Sequence, residues 1–209
     1  MKQGLTEIIC VIDKSASMCE IRNGAIEGFN KFLDLYKRLE GDIRITLALF
    51  SSGSKDGDLY QMVCDNVQIH NVQPLSRNTY RPAGYTALYD ALGRTILKVG
   101  KRLYLTPEEE QPERIMMVIL TDGVENNSTV YTLAEIKTLI KNLSEKYRWE
   151  FLFLAANVDA ERTAKKINIP SECTMRFENS SRGITHAFQE LSEKTLELLL
   201  QDTATATIH

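Results

Sequence analysis

Histidine and tryptophan are nearly missing from this chain, with three and one among 209 residues, and proline is down to five. His70, His186 and His209 are scattered in unlike contexts and read as structural or exposed side chains rather than as a catalytic or metal-binding set. The four cysteines, Cys10, Cys19, Cys64 and Cys173, contain no C-x-x-C pair and have no histidine at ligand spacing. That removes the usual signatures of a zinc site or a disulfide framework. Cys10 sits inside the apolar run Ile8–Ile12 and is expected to pack as a small hydrophobe. No stretch approaches the roughly 18 apolar residues of a membrane span. The opening Met1-Lys2-Gln3-Gly4-Leu5-Thr6-Glu7 lacks the apolar block of a signal peptide. The expectation is a protein of the reducing cytoplasm. Neither charge sign dominates: 25 Lys and Arg stand against 28 Asp and Glu, a net charge of -3. The bulk attraction on which non-specific nucleic-acid binders depend is therefore absent. Phosphate-cradling glycine motifs do not follow the first apolar run, which argues against a nucleotide site there.

Internal repeats, low-complexity tracts and long Gly/Ser/Pro linkers are also wanting, so residues 1–209 read as a single domain with a core over about 5–200. A chain of this length buries roughly 70% of its unfolded surface, enough for a core without staples. What the sequence does contain is alternation. Glu7–Ile12 is a doubly apolar run suited to a central parallel strand. From Gly24 to Leu39, Ile26, Phe29, Leu33, Tyr36 and Leu39 recur at helical spacing. Ile43–Phe50 and Leu59–Cys64 flank a turn-rich segment, Ser51–Asp58, and read as an antiparallel hairpin. A helix follows Thr86, an acidic loop runs from Pro107 to Pro112, and Ile115–Leu120 is a second fully apolar strand. Further elements are expected as a helix near Thr132–Tyr147, a strand at Trp149–Ala155, a helix near Ala160–Ile167, a strand near Thr174–Phe177 and a last helix near Gly183–Leu200. Residues 201–209 lack periodicity and are expected to fray. The pattern predicts an α/β three-layer sandwich of Rossmann-like type: a mostly parallel sheet, one antiparallel edge strand and helices on both faces.

In such sheets ligands bind at the carboxyl ends of the strands, where the strand order reverses. Asp13-Lys14-Ser15-Ala16-Ser17 follows the first strand, and Thr121-Asp122-Gly123 follows Ile115–Leu120. Thr86 stands at the foot of its helix, after Gly84. Two carboxylates and three hydroxyls are hard oxygen donors, suited to magnesium, calcium or manganese rather than to zinc or copper. Taken singly, Asp13, Asp122 and Thr86 are also good caps for turns and helices. It is the five together that point to a metal.

These five positions, in this order and at these element boundaries, resemble the von Willebrand factor A-type domain with its metal-ion-dependent adhesion site, whose pattern is D-x-S-x-S, a distant Thr and a distant Asp. The resemblance implies one divalent cation, Mg2+ with Mn2+ or Ca2+ as alternatives, at the top of the sheet. It implies that Ser15, Ser17 and, in one of two states, Thr86 ligate directly, with Asp13 and Asp122 acting directly or through water. Its functional expectation is a non-enzymatic interaction module that binds a Glu or Asp of a protein partner, with no nucleic acid or membrane involved. Stand-alone prokaryotic or phage relatives suggest an adaptor for an ATPase, kinase or phosphatase encoded nearby, and a last helix that moves on binding. Lys14, where a small residue is common, and Tyr85, where a second glycine is frequent, depart from the pattern without removing an oxygen donor. The loop Asp122–Ser128 either shapes partner specificity or is a solvated turn. Tyr80, Tyr85 and Tyr89 are candidates for the binding rim, with core packing as the alternative for Tyr89. The competing reading is a metal-dependent phosphohydrolase with Asp13 as nucleophile, although Ser15 stands where such enzymes carry a second aspartate.

Overall fold

The computed structural model describes residues 1–53 and 60–206. Its centre is a six-stranded sheet built from β1 (Lys2–Asp13), β2 (Asp42–Phe50), β3 (Tyr60–Gln68), β4 (Pro112–Thr121), β5 (Glu150–Ala155) and β6 (Thr174–Arg176). The strand order is β3-β2-β1-β4-β5-β6. All neighbours run parallel except β2 and β3, so β3 is the antiparallel edge. The turn expected within residues 54–58 and the first residue of the strand at Leu59 lie outside the described residues.

Period-two alternation divides β1 between two cores. Ile8, Cys10 and Ile12 face α1 (Arg22–Tyr36) and α5 (Ser181–Ala206), while Ile9 and Val11 face α2 (Leu88–Leu105), α3 (Leu133–Tyr147) and α4 (Val158–Lys166). A strand covered on both sides has no polar face to offer water, which is why its sequence reads as continuous apolar residues. On the first face Phe29, Phe32, Leu33 and Tyr36 of α1 meet Ile184, Phe188 and Leu191 of α5. Gly24 and Gly28 make that approach possible. A Cβ at Gly24 would fall 2.3 Å from the Ser181 carbonyl oxygen, and one at Gly28 would fall 2.4 Å from Phe188 Cδ2.

Several boundaries differ from the sequence expectation. β1 begins at Lys2, five residues early, because Lys2 and Thr6 onward pair with β4 across an irregular register. α1 ends at Tyr36, yet Leu39 still packs against the core from the turn beyond it. α5 is helical through Ala206, six residues past the end expected from periodicity, and residues 207–209 lie outside the described residues. Helix propagation adds one backbone bond per residue and needs no apolar stripe, so periodicity underestimates such an end. The first turns of α3 and α4 are closed by caps: Thr132 builds a reciprocal cap with Glu135, and Asn157 accepts from the Ala160 amide.

Candidate metal centre

β1 and β4 lie side by side, yet β1 continues to β2 on one side and β4 to β5 on the other. Their carboxyl ends form the switch point of the sheet, and the two carboxylates stand there. Asp13 closes β1 and is fully buried. Its Oδ1 accepts from the Ser15 amide at 2.7 Å and its Oδ2 from the Thr121 hydroxyl at 2.6 Å. Ser15 precedes a short 3-10 turn, Ala16–Cys19, that carries Ser17. The Ser15 and Ser17 hydroxyls are 3.1 Å apart, and Ser17 Oγ donates to Asp122 Oδ1 at 2.7 Å. Thr86 approaches the same place beside Gly123. A Cβ built on that glycine would lie 3.3 Å from Thr86 Oγ1 and 4.0 Å from Ser17 Oγ. The structure thus links Asp13, Ser15, Ser17 and Asp122 in one hydrogen-bonded series and sets Thr86 beside Gly123 near it.

The loops that carry them are stitched together by backbone bonds. The Lys14 amide donates to the Phe50 carbonyl and the Ala83 amide to that of Lys14, while Ala16 donates to Gly84. Ser52 and Tyr85 exchange bonds in both directions. Asn126 Oδ1 accepts from the Thr86 amide, and the Thr86 carbonyl accepts from the amides of Asn126 and Asn127. Beyond them Asp90, in the first turn of α2, takes the amides of Thr129, Val130 and Tyr131. Glu125 takes those of Tyr89, Asn127 and Ser128. The loop after β4 is therefore a hydrogen-bonded structure, not a merely solvated turn.

The electrostatics favour a cation. Burial pushes the Asp13 carboxyl up to about 7, against the opposing bonds from Thr121 and Ser15, and nearby Asp122 adds to the rise. Asp122 is also raised, first by burial, with the Ser17 bond working the other way. Two carboxyls that resist ionisation side by side are what a dication would relieve. Asp122 Oδ2 is buried and has no hydrogen-bond partner in the protein, an acceptor left for something else. The oxygen set, the orphan acceptor and the glycine-walled cradle fit a hard divalent ion. Among the described residues no group of three or more His, Cys, Asp or Glu side chains gathers as a metal cluster, so hydroxyls are essential to any binding here.

Tyr80 corrects the expectation of a binding rim. It is buried, and its hydroxyl donates to the Asp13 carbonyl at 2.6 Å, so it braces the end of β1 from below. Tyr85 is exposed as expected, and Tyr89 is half-buried against the α2-side core. Three supporting residues escaped the sequence reading: Thr121, Asn126 and Asn157. Asn157 Nδ2 donates to the Asp122 carbonyl at 2.7 Å while its Oδ1 caps α4. It follows β5, so the strand-end rule that found Asp13 and Asp122 would have found it as well.

No sequence-family model and no curated protein sequence matches the chain. Solved structures do. The pilus adhesin SpaC from Lactobacillus rhamnosus GG, in its open conformation, superposes with a TM-score of 0.66 at 17% identity, over 93% of this chain and 30% of its own. Proximal thread matrix protein 1 from the mussel byssus, in a form described as having a zinc-occupied MIDAS motif, gives 0.63 at 15% identity over 92% and 46%. The fold is the VWA-like α/β sandwich these proteins share, and the chain spans less than half the length of either.

Proposed function

We propose that this chain is a divalent-cation-dependent protein-interaction module that binds an acidic side chain of a partner protein. The observation that carries the reading is the run from Asp13 through Ser15 and Ser17 to Asp122, with Thr86 beside Gly123, at the switch point of the sheet. When bound, a dication would supply a positive centre with an exchangeable water position that a partner carboxylate can take. Asp13 and Asp122 supply the negative charge, and Ser15, Ser17 and Thr86 supply neutral oxygens that leave most of the positive charge uncompensated. Thr121, Asn157 and Tyr80 hold these groups in place. An adhesin and a matrix protein with a metal-occupied adhesion motif among the structural neighbours support the reading.

Magnesium is the ion we assign first, from the hard oxygen set. The mussel protein is described with a zinc-occupied MIDAS motif, so zinc belongs in the test. The phosphohydrolase reading is not favoured. Ser15 stands where such enzymes carry a second aspartate, and the structural neighbours are an adhesin and a matrix protein. Calorimetric titration of Mg2+, Mn2+, Ca2+ and Zn2+ into wild type and Asp13→Ala tests the assignment. Heat of binding in wild type and its loss in the variant are expected; equal heats would overturn it.

A further inference from the structure

Isolated apolar side chains on a protein surface are ordinary; their concentration at one place is informative. Tyr85 is 60% exposed, Val124 43% and Val158 47%. Each is the immediate chain neighbour of a residue that builds the centre: Thr86, Gly123 and Asn157 respectively. They come from three separate segments, the loop before α2, the loop after β4 and the first turn of α4. Val130, 57% exposed, extends the series along the loop after β4, where its amide is held by Asp90.

None of the three hangs loose. Tyr85 is held by two backbone bonds to Ser52, and its ring lies over Gly53, where a Cβ would come within 2.9 Å of Cδ2. Gly53 also has φ +68, so that seat depends on glycine twice. Val124 sits between Gly123 and Glu125, which ties the loop to α2 by taking the amides of Tyr89, Asn127 and Ser128. Val158 stands on a helix start capped by Asn157. Apolar groups fixed in advance lose little entropy on contact, the property of residues that dominate interface energetics.

We infer that Tyr85, Val124 and Val158 form an apolar collar around the cation site, and that the site takes a protein segment whose single carboxylate is flanked by aliphatic or aromatic residues. This rests on the cation-dependent reading above. The charge of the occupant follows from that centre; the apolar flanks follow from the collar. A segment with polar flanks would leave the collar wet, and one without the acid would leave the ion uncoordinated by the partner.

The test is a random peptide library displayed on phage, panned on the immobilised protein in Mn2+ and eluted with EDTA. Enrichment of one Asp or Glu with Leu, Ile, Val, Phe or Tyr beside it is expected. Those peptides should bind the Tyr85→Ser/Val124→Ser/Val158→Ser protein at least about tenfold more weakly. The triple variant should keep the circular dichroism spectrum and calorimetric metal heat of wild type, which separates loss of the collar from loss of the fold. EDTA-eluted peptides with polar flanks, or equal binding to the triple variant, would overturn the collar and leave the cation-dependent module standing. Metal heat without any EDTA-eluted peptide would overturn the collar as well. Absence of metal heat in wild type would remove both.

Discussion

Asp13 has no contact with water, and its two oxygens are held by a backbone amide and a threonine hydroxyl. A carboxyl raised to about 7 in the fold, from an ordinary value of 3.8, binds its proton more tightly folded than unfolded. The stability that proton contributes is full below about 3.8, declines as pH rises between the two values and is gone above about 7. In EDTA, thermal melts of wild type should therefore fall from pH 5 to pH 8 more steeply than those of Asp13→Asn, by an amount worth up to a few kcal/mol. Saturating Mg2+ should flatten the difference, because the dication takes over the proton's role. Gly123 offers a cleaner probe of the cradle. A methyl group there needs no unusual backbone but reaches to 3.3 Å from Thr86 Oγ1. Gly123→Ala is expected to weaken metal binding about tenfold in calorimetry, with its melting temperature in EDTA nearly unchanged.

At the scale of elements, the close contact of α1 and α5 sets what the first core tolerates. Gly24→Ala would drive a Cβ into the backbone of Ser181, a neighbour that cannot turn aside, so α5 itself must shift. Urea denaturation should show a loss of about 2–3 kcal/mol, the range for overpacked sites. Gly100, in the interior of α2, has nothing within 4 Å of a built Cβ. Gly100→Ala should instead gain about 0.5–1 kcal/mol, from helix propensity and reduced freedom of the unfolded chain. Opposite signs for the same substitution would locate the difference in packing between elements rather than in local propensity. No helix among the described residues is long and apolar enough to cross a membrane.

For the molecule as a whole, an ion that binds only where β1, β4 and the foot of α2 meet stabilises the fold that brings them together. At a hundred times its Kd the dication should add about 2.7 kcal/mol. For a chain of this length that is a rise of about 5–10 °C in melting temperature, absent in Asp13→Ala. The order and type of the elements, the strand-end positions of Asp13 and Asp122 and the helix start near Thr132 could all be read along the chain. They arise from periodicity and turn chemistry, which are local and one-dimensional. Nothing local indicated that Tyr80 turns inward to brace Asp13 or that Asn157, at the start of α4, reaches back to Asp122. Those relations depend on which strand lies beside which and how the loops at one end of the sheet pack, and a chain declares that only when it folds.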